Sequence, residues 1–325
     1  MNAFEWVTPK DLKGAVSALS GERVKALAGG IDLLCEMKEG LVTPSRVVNL
    51  KTIAGLNEMT GRDDLKIGAL VTLTELAESE RVESQYKAVA EAARSVGSPQ
   101  IRNVGTVGGN LCQRPRCWYY RDVAIECLKK GGDRCYAEDG ENEYHAILGG
   151  GPCHIVHPSD LAPALIAFDA KVDIQGTSAR SLPLLDFFVL PAVNWGQENV
   201  LTPNEIVTAV TLPKATAGWR SAYYKFRERE SFDWALASAA VTLRMSGNTV
   251  QDCRVVLGGV APIPWRSNEA EAALKGKTIT PGVAETAGKA AVTGAKPLKH
   301  NGYKVRLAAN VVRIAVLRAA GLEEA

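Results

Sequence analysis

Five of the seven cysteines fall between residues 112 and 153 (Cys112, Cys117, Cys127, Cys135 and Cys153), while Cys35 and Cys253 stand alone. From Cys117 onward the spacing is C-x9-C-x7-C-x17-C. Structural zinc sites usually bring their ligands in close pairs such as C-x2-C, and this segment has no such pair. Four thiolates strung along a loop suit an iron–sulfur cluster, in which each iron takes one cysteine. His145, His154 and His157 lie close by and keep zinc as the lesser alternative. Clustering and an odd cysteine count both disfavour a disulfide framework. Arg114, Arg116, Arg121, Lys129, Lys130 and Arg134 would offset the charge of a thiolate-ligated cluster, or form a solvated face. Trp118, Tyr119 and Tyr120 would exclude water from such a cluster, or serve as ordinary core.

A second kind of chemistry abuts the first. The run IRNVGTVGGNLCQR carries Gly105, Gly108 and Gly109, and an earlier Gly29-Gly30 closes a strand. Adjacent glycines let a backbone approach a ligand closely, and unpaired amides at a helix start favour an anion. Either turn alone reads as a tight structural turn. Two together can sandwich a diphosphate between subdomains. Neither is the GxGxxG of a Rossmann fold, and no acidic residue follows at the expected distance.

These turns need elements to hold them. Thr8-Pro9 predicts a helix start, with Leu12, Ala15, Val16 and Leu19 at helical spacing up to Gly21. Val24–Ala28 reads as a strand, Ile31–Lys38 as a helix and Arg46–Leu50 as a strand, which together make a small βαβ unit. LKIGALV reads as a strand, TLTELAES as a Thr-capped helix and Gln85–Val96 as one longer helix. Beyond the cysteines, a helix is expected over Leu161–Phe168, a strand over Lys171–Gln175, and another strand in EIVTAVTLP. Residues 213–218 read as a linker. A strand then leads into a small-residue-rich segment, helix or strand, and next into the strand of VQDCRVVLGG. The tail is a set of amphipathic helices, the last with Val305, Leu307, Val311, Val312, Ile314 and Leu317 on one face.

The chain of 325 residues is long enough for two or three cores. Its 38 basic and 36 acidic residues leave a net charge of +2, which gives no electrostatic case for nucleic acid or an anionic membrane. No apolar run reaches the ~20 residues of a membrane span. The N-terminus lacks a signal-peptide core, so a cytoplasmic location is expected, or a periplasmic one if the chain is exported with a partner that carries the signal.

ALAGGIDLL, QIRNVGTVGGNL and HPSDLAPAL, with the later YYKFRERESFDWALASAAV and DCRVVLGGVAPIPWR, resemble the FAD-binding (medium) subunit of the molybdenum hydroxylase, or xanthine dehydrogenase, family. The resemblance covers essentially the whole chain. It implies an α+β fold: a two-part FAD-binding domain, with a small βαβ unit (1–60) and a larger mixed or antiparallel sheet with helices (61–217). A C-terminal α+β domain of the CO dehydrogenase flavoprotein type (218–325), with a small antiparallel sheet and helices, would follow. Residues 112–156 are an insertion between TVGGNL and SDLAPAL. LCQRPRCWYYRD, CLKK, YHAILGG and VHPSDLAPAL make it similar to the 4Fe–4S insertion of bacterial aldehyde oxidoreductase FAD subunits, and to that of the 4-hydroxybenzoyl-CoA reductase β subunit.

By this resemblance Cys117, Cys127, Cys135 and Cys153 ligate a 4Fe–4S cluster and Cys112 is a buried neighbour. Ala28, Gly29, Gly30, Ile31, Asp32, Leu33 and Leu34 cradle the FAD pyrophosphate through backbone amides. Ile101, Asn103, Gly105, Thr106, Gly108, Gly109 and Asn110 close over the flavin and its diphosphate from the other side. Asp160 matches a ribose-contacting aspartate, with a helix N-cap as its bland alternative. Lys225 matches a lysine beside the isoalloxazine, where a cation favours the anionic reduced form; its alternative is a surface strand position. No nucleophile or acid–base pair stands near the glycine turns, so no catalytic residue is expected. The implied role is electron transfer between partner centres and an external carrier. Those partners are a 2Fe–2S small subunit and a molybdopterin-binding large subunit, in a heterotrimer or a multiple of it. A stand-alone flavin oxidoreductase, a 4-hydroxybenzoyl-CoA reductase-type subunit and a zinc-stapled non-redox protein are the alternatives.

Overall fold

The computed structural model describes residues 1–322, so the last three positions of the expected C-terminal domain lie outside the described residues. Its strands form three sheets. The first is parallel, in the order β1-β3-β2, from Glu5–Val7, Val24–Leu27 and Arg46–Asn49. β1 is an element that the three-residue EWV was too short to announce. The first helix, Leu12–Ala18, starts from Asp11, whose carboxylate accepts from the Gly14 amide at 2.7 Å. The expected start at Thr8-Pro9 is therefore displaced by a better side-chain cap three residues on.

The second sheet is antiparallel throughout. It is built from β4 (Met59–Thr60), β5 (Leu65–Gly68), β6 (Lys171–Gln175), β7 (Ala179–Pro183) and β8 (Ile206–Leu212), in the order β4-β5-β8-β6-β7. Its helices include Leu73–Glu78, opened by a complete capping box of Thr72 and Glu75. The helix expected over Gln85–Val96 is two helices, Glu80–Gln85 and Lys87–Ser95. Tyr86 breaks them with φ −137° and ψ 50°. Its ring is fully buried in the core and its hydroxyl donates to the Pro213 carbonyl at 2.8 Å.

The third sheet, β12-β11-β10-β9, is also antiparallel. It comprises β9 (Trp219–Phe226), β10 (Ala237–Ser246), β11 (Thr249–Gly258) and β12 (Trp265–Arg266). The small-residue segment left open between helix and strand is thus β10. Alternation explains why it is buried on both faces. Ala237, Ala239, Val241 and Leu243 pack into the core beneath the helix Tyr303–Ala320. Ala240 joins the other core, and Thr242 donates to the Ala167 carbonyl at the end of the helix Leu161–Ala167. One strand therefore forms the wall shared by two cores.

The insertion is tied into this frame at its far end. Ile147 and Leu148 sit in the C-terminal core and both donate backbone amides to the Val260 carbonyl. Lys304 on the helix Tyr303–Ala320 is wholly buried and donates to the carbonyls of Tyr144, His145 and Gly259 at 3.0, 3.2 and 2.7 Å. Burial pulls its ammonium down to about 7, while the three carbonyls favour the charged form.

Candidate functional site

The two glycine turns touch. β2 ends at Leu27 and the next helix begins at Leu33, leaving Ala28–Asp32 as the turn. Gly30 has φ +78°, a left-handed value that glycine takes without penalty. A Cβ on Gly29 would lie 2.0 Å from the Val104 carbonyl oxygen, so the first turn packs directly against the second.

The second turn is braced from within. The amides of Gly105, Val107, Gly108 and Asn110 donate to the carbonyls of Ile101, Val71, Ala69 and Thr106, and the Gly109 amide donates to the Thr106 hydroxyl. A Cβ on Gly108 would meet Ala69 at 2.9 Å, so this glycine serves the seam with the second sheet. Asn110 accepts from the Ser159 hydroxyl at 2.5 Å, and Asn103 accepts from Thr74 at 2.6 Å. Ile101 and Val104 line the outer side, Val104 about half exposed. Free donors for an anion must therefore come chiefly from the first turn.

Asp32 has a further use. Its carboxylate pairs with Arg116, accepts from Arg121 at 2.8 Å and accepts from the Arg114 amide at 2.7 Å. Burial would raise its pKa, but the Arg116 and Arg121 guanidiniums hold it below the usual carboxylate value. The Arg116 guanidinium also lies 4.5 Å from the centroid of the Trp234 ring. The first turn is thereby bolted to the cysteine segment.

Asp160 and Lys225 form a buried ion pair at 2.7 Å, with side chains 4% and 3% exposed. Tyr223, two residues before Lys225 on the same face of β9, donates to the other Asp160 oxygen at 2.8 Å. Burial, and then the Asp160 charge, push the Tyr223 phenol well up. Asp160 makes no capping bond; Ser159 caps the helix instead, accepting from the Ala162 amide at 2.9 Å. Lys225 is not a surface residue. Nor is it a free cation: paired with Asp160 it presents a dipole to whatever binds beside it. Each Asp160 oxygen retains a second acceptor site for a hydroxyl.

Beside this pair lies a cavity of about 260 Å3, lined by Asp160, His157, Trp234, Arg116, Trp118 and Cys117 among others. Burial pushes the His157 imidazole down to about 3. A smaller cavity adjoins it, and its walls carry Cys117, Cys127, Cys135 and Cys153 together with His145, under Tyr119, Tyr120 and Tyr136. Burial raises the Cys117 thiol to about 11, opposed by the backbone amides of Tyr120 and Tyr119 directed at its sulfur. Cys135 is held below the usual thiol range because Cys153 hydrogen-bonds to it, and the amides of His154 and Ala137 act in the same sense. Cys112 stands apart: it packs against the main core, where burial raises its thiol to about 12. His157 faces the larger cavity, so the three neighbouring histidines do not converge. Among the described residues, no three His, Cys, Asp or Glu side chains are placed to hold a single metal ion.

Lys129, beside the cysteines, has its charge matched by Glu198 at 2.5 Å, with side chains 1% and 2% exposed. Glu198 also pairs with Arg114 at 2.8 Å. Glu198→Ala would leave Lys129 buried without its partner. The expected loss is about 3–5 kcal/mol of stability, read by chemical denaturation. A loss below about 1 kcal/mol would mean that water reaches the lysine. Sequence reading had no signal for Glu198 or Trp234, which come from distant loops. Tyr223 was recoverable from its two-residue spacing to Lys225.

This arrangement belongs to a class defined by comparison as well as by geometry. Residues 2–215 match the family described as the FAD binding domain in molybdopterin dehydrogenase, and residues 222–319 match the CO dehydrogenase flavoprotein C-terminal domain. The chain belongs to this family, the FAD-binding medium subunits of molybdenum hydroxylases, and is an oxidoreductase subunit of it. It is 40% identical to the aldehyde oxidoreductase FAD-binding subunit PaoB of Escherichia coli over 270 residues, 80% of this chain and 83% of that one. It is 28% identical to the carbon monoxide dehydrogenase medium chain of Hydrogenophaga pseudoflava, across 96% of both chains. A solved structure of carbon monoxide dehydrogenase from that organism superposes with a TM-score of 0.79, covering 99% of each chain at 28% identity. The α+β fold expected from the sequence is thereby shown for the whole chain. No helix among the described residues is long and apolar enough to cross a membrane.

Proposed function

We propose that the chain is the FAD- and 4Fe–4S-carrying electron-transfer subunit of an aldehyde oxidoreductase-like molybdenum hydroxylase. One observation carries this reading: Cys117 and His145 line both cavities, so the wall between them is a single layer of side chains. When bound, the flavin exchanges electron pairs and the cluster single electrons.

The residues fit these groups. The first turn, Ala28 to Leu34, offers backbone amides to a pyrophosphate, and Gly29 lets it pack against the Val104 carbonyl of the second turn. Asp160 offers acceptors for hydroxyls, and Lys225 with Asp160 sets a fixed dipole beside the larger cavity. Ile101, Asn103, Thr106 and Asn110 close the same region from the second turn. Cys117, Cys127, Cys135 and Cys153 line one small cavity without converging on a single point. That suits a four-iron cluster, whose thiolates stand apart by the width of the cluster, better than a lone zinc ion. Tyr119, Tyr120 and Tyr136 shield the space from water.

On this reading the chain works beside a 2Fe–2S small subunit and a molybdopterin-binding large subunit, exchanging electrons with an external carrier. Its similarity to the PaoB subunit favours an aldehyde oxidoreductase over a reductase of 4-hydroxybenzoyl-CoA type. An absorption spectrum of anaerobically purified protein, with iron and zinc assays, tests the proposal. Flavin bands with a broad shoulder that dithionite bleaches are expected, with iron present. Flavin bands alone would favour a stand-alone flavoenzyme, and a colourless zinc protein would refute both.

A further inference from the structure

The cysteine cavity has a fifth polar group. His145 Nε2 lies 3.2 Å from Cys117 Sγ, and its ring packs edge-on to Trp118 at 5.3 Å. A cysteine thiolate bound to iron has no proton to give, so a hydrogen bond between Nε2 and Sγ can only be donated by the imidazole.

The ring is also held in place. The His145 amide donates to the Asn142 carbonyl at 3.0 Å. Its own carbonyl accepts from Asn301 at 3.1 Å and from Lys304 at 3.2 Å, both wholly buried. A residue of the insertion is thus fixed by the first turn of the last helix, a separate unit of the fold.

We propose that His145 is a positioning residue for the cluster, donating Nε2–H to the Cys117 thiolate sulfur and raising the cluster's reduction potential. This rests on the cluster assignment made above. Hydrogen bonds to the sulfurs are among the levers that set such potentials, because they stabilise the added negative charge of the reduced state. Cys117 has beside it, as well as backbone amides, a side-chain donor that is not itself one of the four cysteines. It is also the ligand shared with the larger cavity. The donor would therefore act at the ligand nearest the larger cavity.

The test uses the full-length chain with the subunits that accompany it, as wild type, His145→Gln and His145→Leu. Iron, acid-labile sulfide and flavin are assayed, and the cluster is titrated by EPR-monitored redox poise. All three proteins are expected to keep iron and flavin. At a fixed potential the leucine variant should hold roughly tenfold less reduced cluster, the effect of one charge-assisted hydrogen bond. The glutamine variant, which keeps an N–H donor, should fall between. Equal potentials in wild type and leucine variant would overturn the inference while leaving the cluster intact. Loss of iron from both variants with flavin retained would also overturn it, because His145 would then be a ligand or a strut. Iron missing from the wild type would instead bring down the cluster assignment itself, and this inference with it.

Discussion

Cys127→Ser and Cys153→Ser are each expected to abolish the four-iron signal, while Cys112→Ser leaves iron content at the wild-type level. The contrast follows from placement. Cys127 and Cys153 are buried in the wall of one small cavity together with Cys117 and Cys135. Serine preserves their size but removes the thiolate on which iron depends. Cys112 is five residues from Cys117 in sequence, yet its thiol faces the main apolar core. Iron and sulfide assays on the three variants decide the matter, with retained flavin as the control for folding. Iron loss in Cys112→Ser, or its survival in the other two, would sink the ligand assignment.

Gly29→Ala is expected to strip the flavin. The added methyl would start 2.0 Å from the Val104 carbonyl oxygen, a backbone atom that cannot rotate aside. The two turns must then separate, and overpacking of this kind usually costs about 1–3 kcal/mol. Expressed on the closed, cofactor-binding arrangement, that range is about five- to 150-fold in FAD affinity. Flavin per chain after gel filtration measures it. Gly282→Ala, where the nearest atom is 4.0 Å away in an exposed helix, should leave flavin unchanged. Wild-type flavin content in Gly29→Ala would show that the contact between the turns has no part in holding the cofactor.

Local pattern carried the reading furthest where function compresses sequence. Gly29-Gly30 and TVGGN could be placed because a close backbone approach admits almost no other residue. The cysteines could be grouped because few other roles gather thiols in one loop. What stayed hidden were the choices settled by distant partners. The first half of β10, ASAA, carries no periodicity that separates strand from helix; its pairing with β9 and β11 decides. Tyr86 breaks a helix because its ring finds the core and its hydroxyl finds Pro213, contacts that no window of eleven residues contains. Lys304 reads as a solvent-facing lysine on an amphipathic helix, whereas three carbonyls from two other segments enclose it. Asp32 likewise reads as part of a phosphate loop, and only the fold reveals the arginines it binds.

The anchors of the loop around His145 also impose a schedule. His300, Asn301 and Lys304 supply its fixed bonds to Asn142, Tyr144, His145 and Ala146. A ribosome makes those anchors more than 140 residues after it makes the loop. Throughout that interval the cysteine segment lacks these bonds and keeps only its anchors to Asp32 and Glu198. On the proposed reading, the cluster site would be complete only once the last helix has docked.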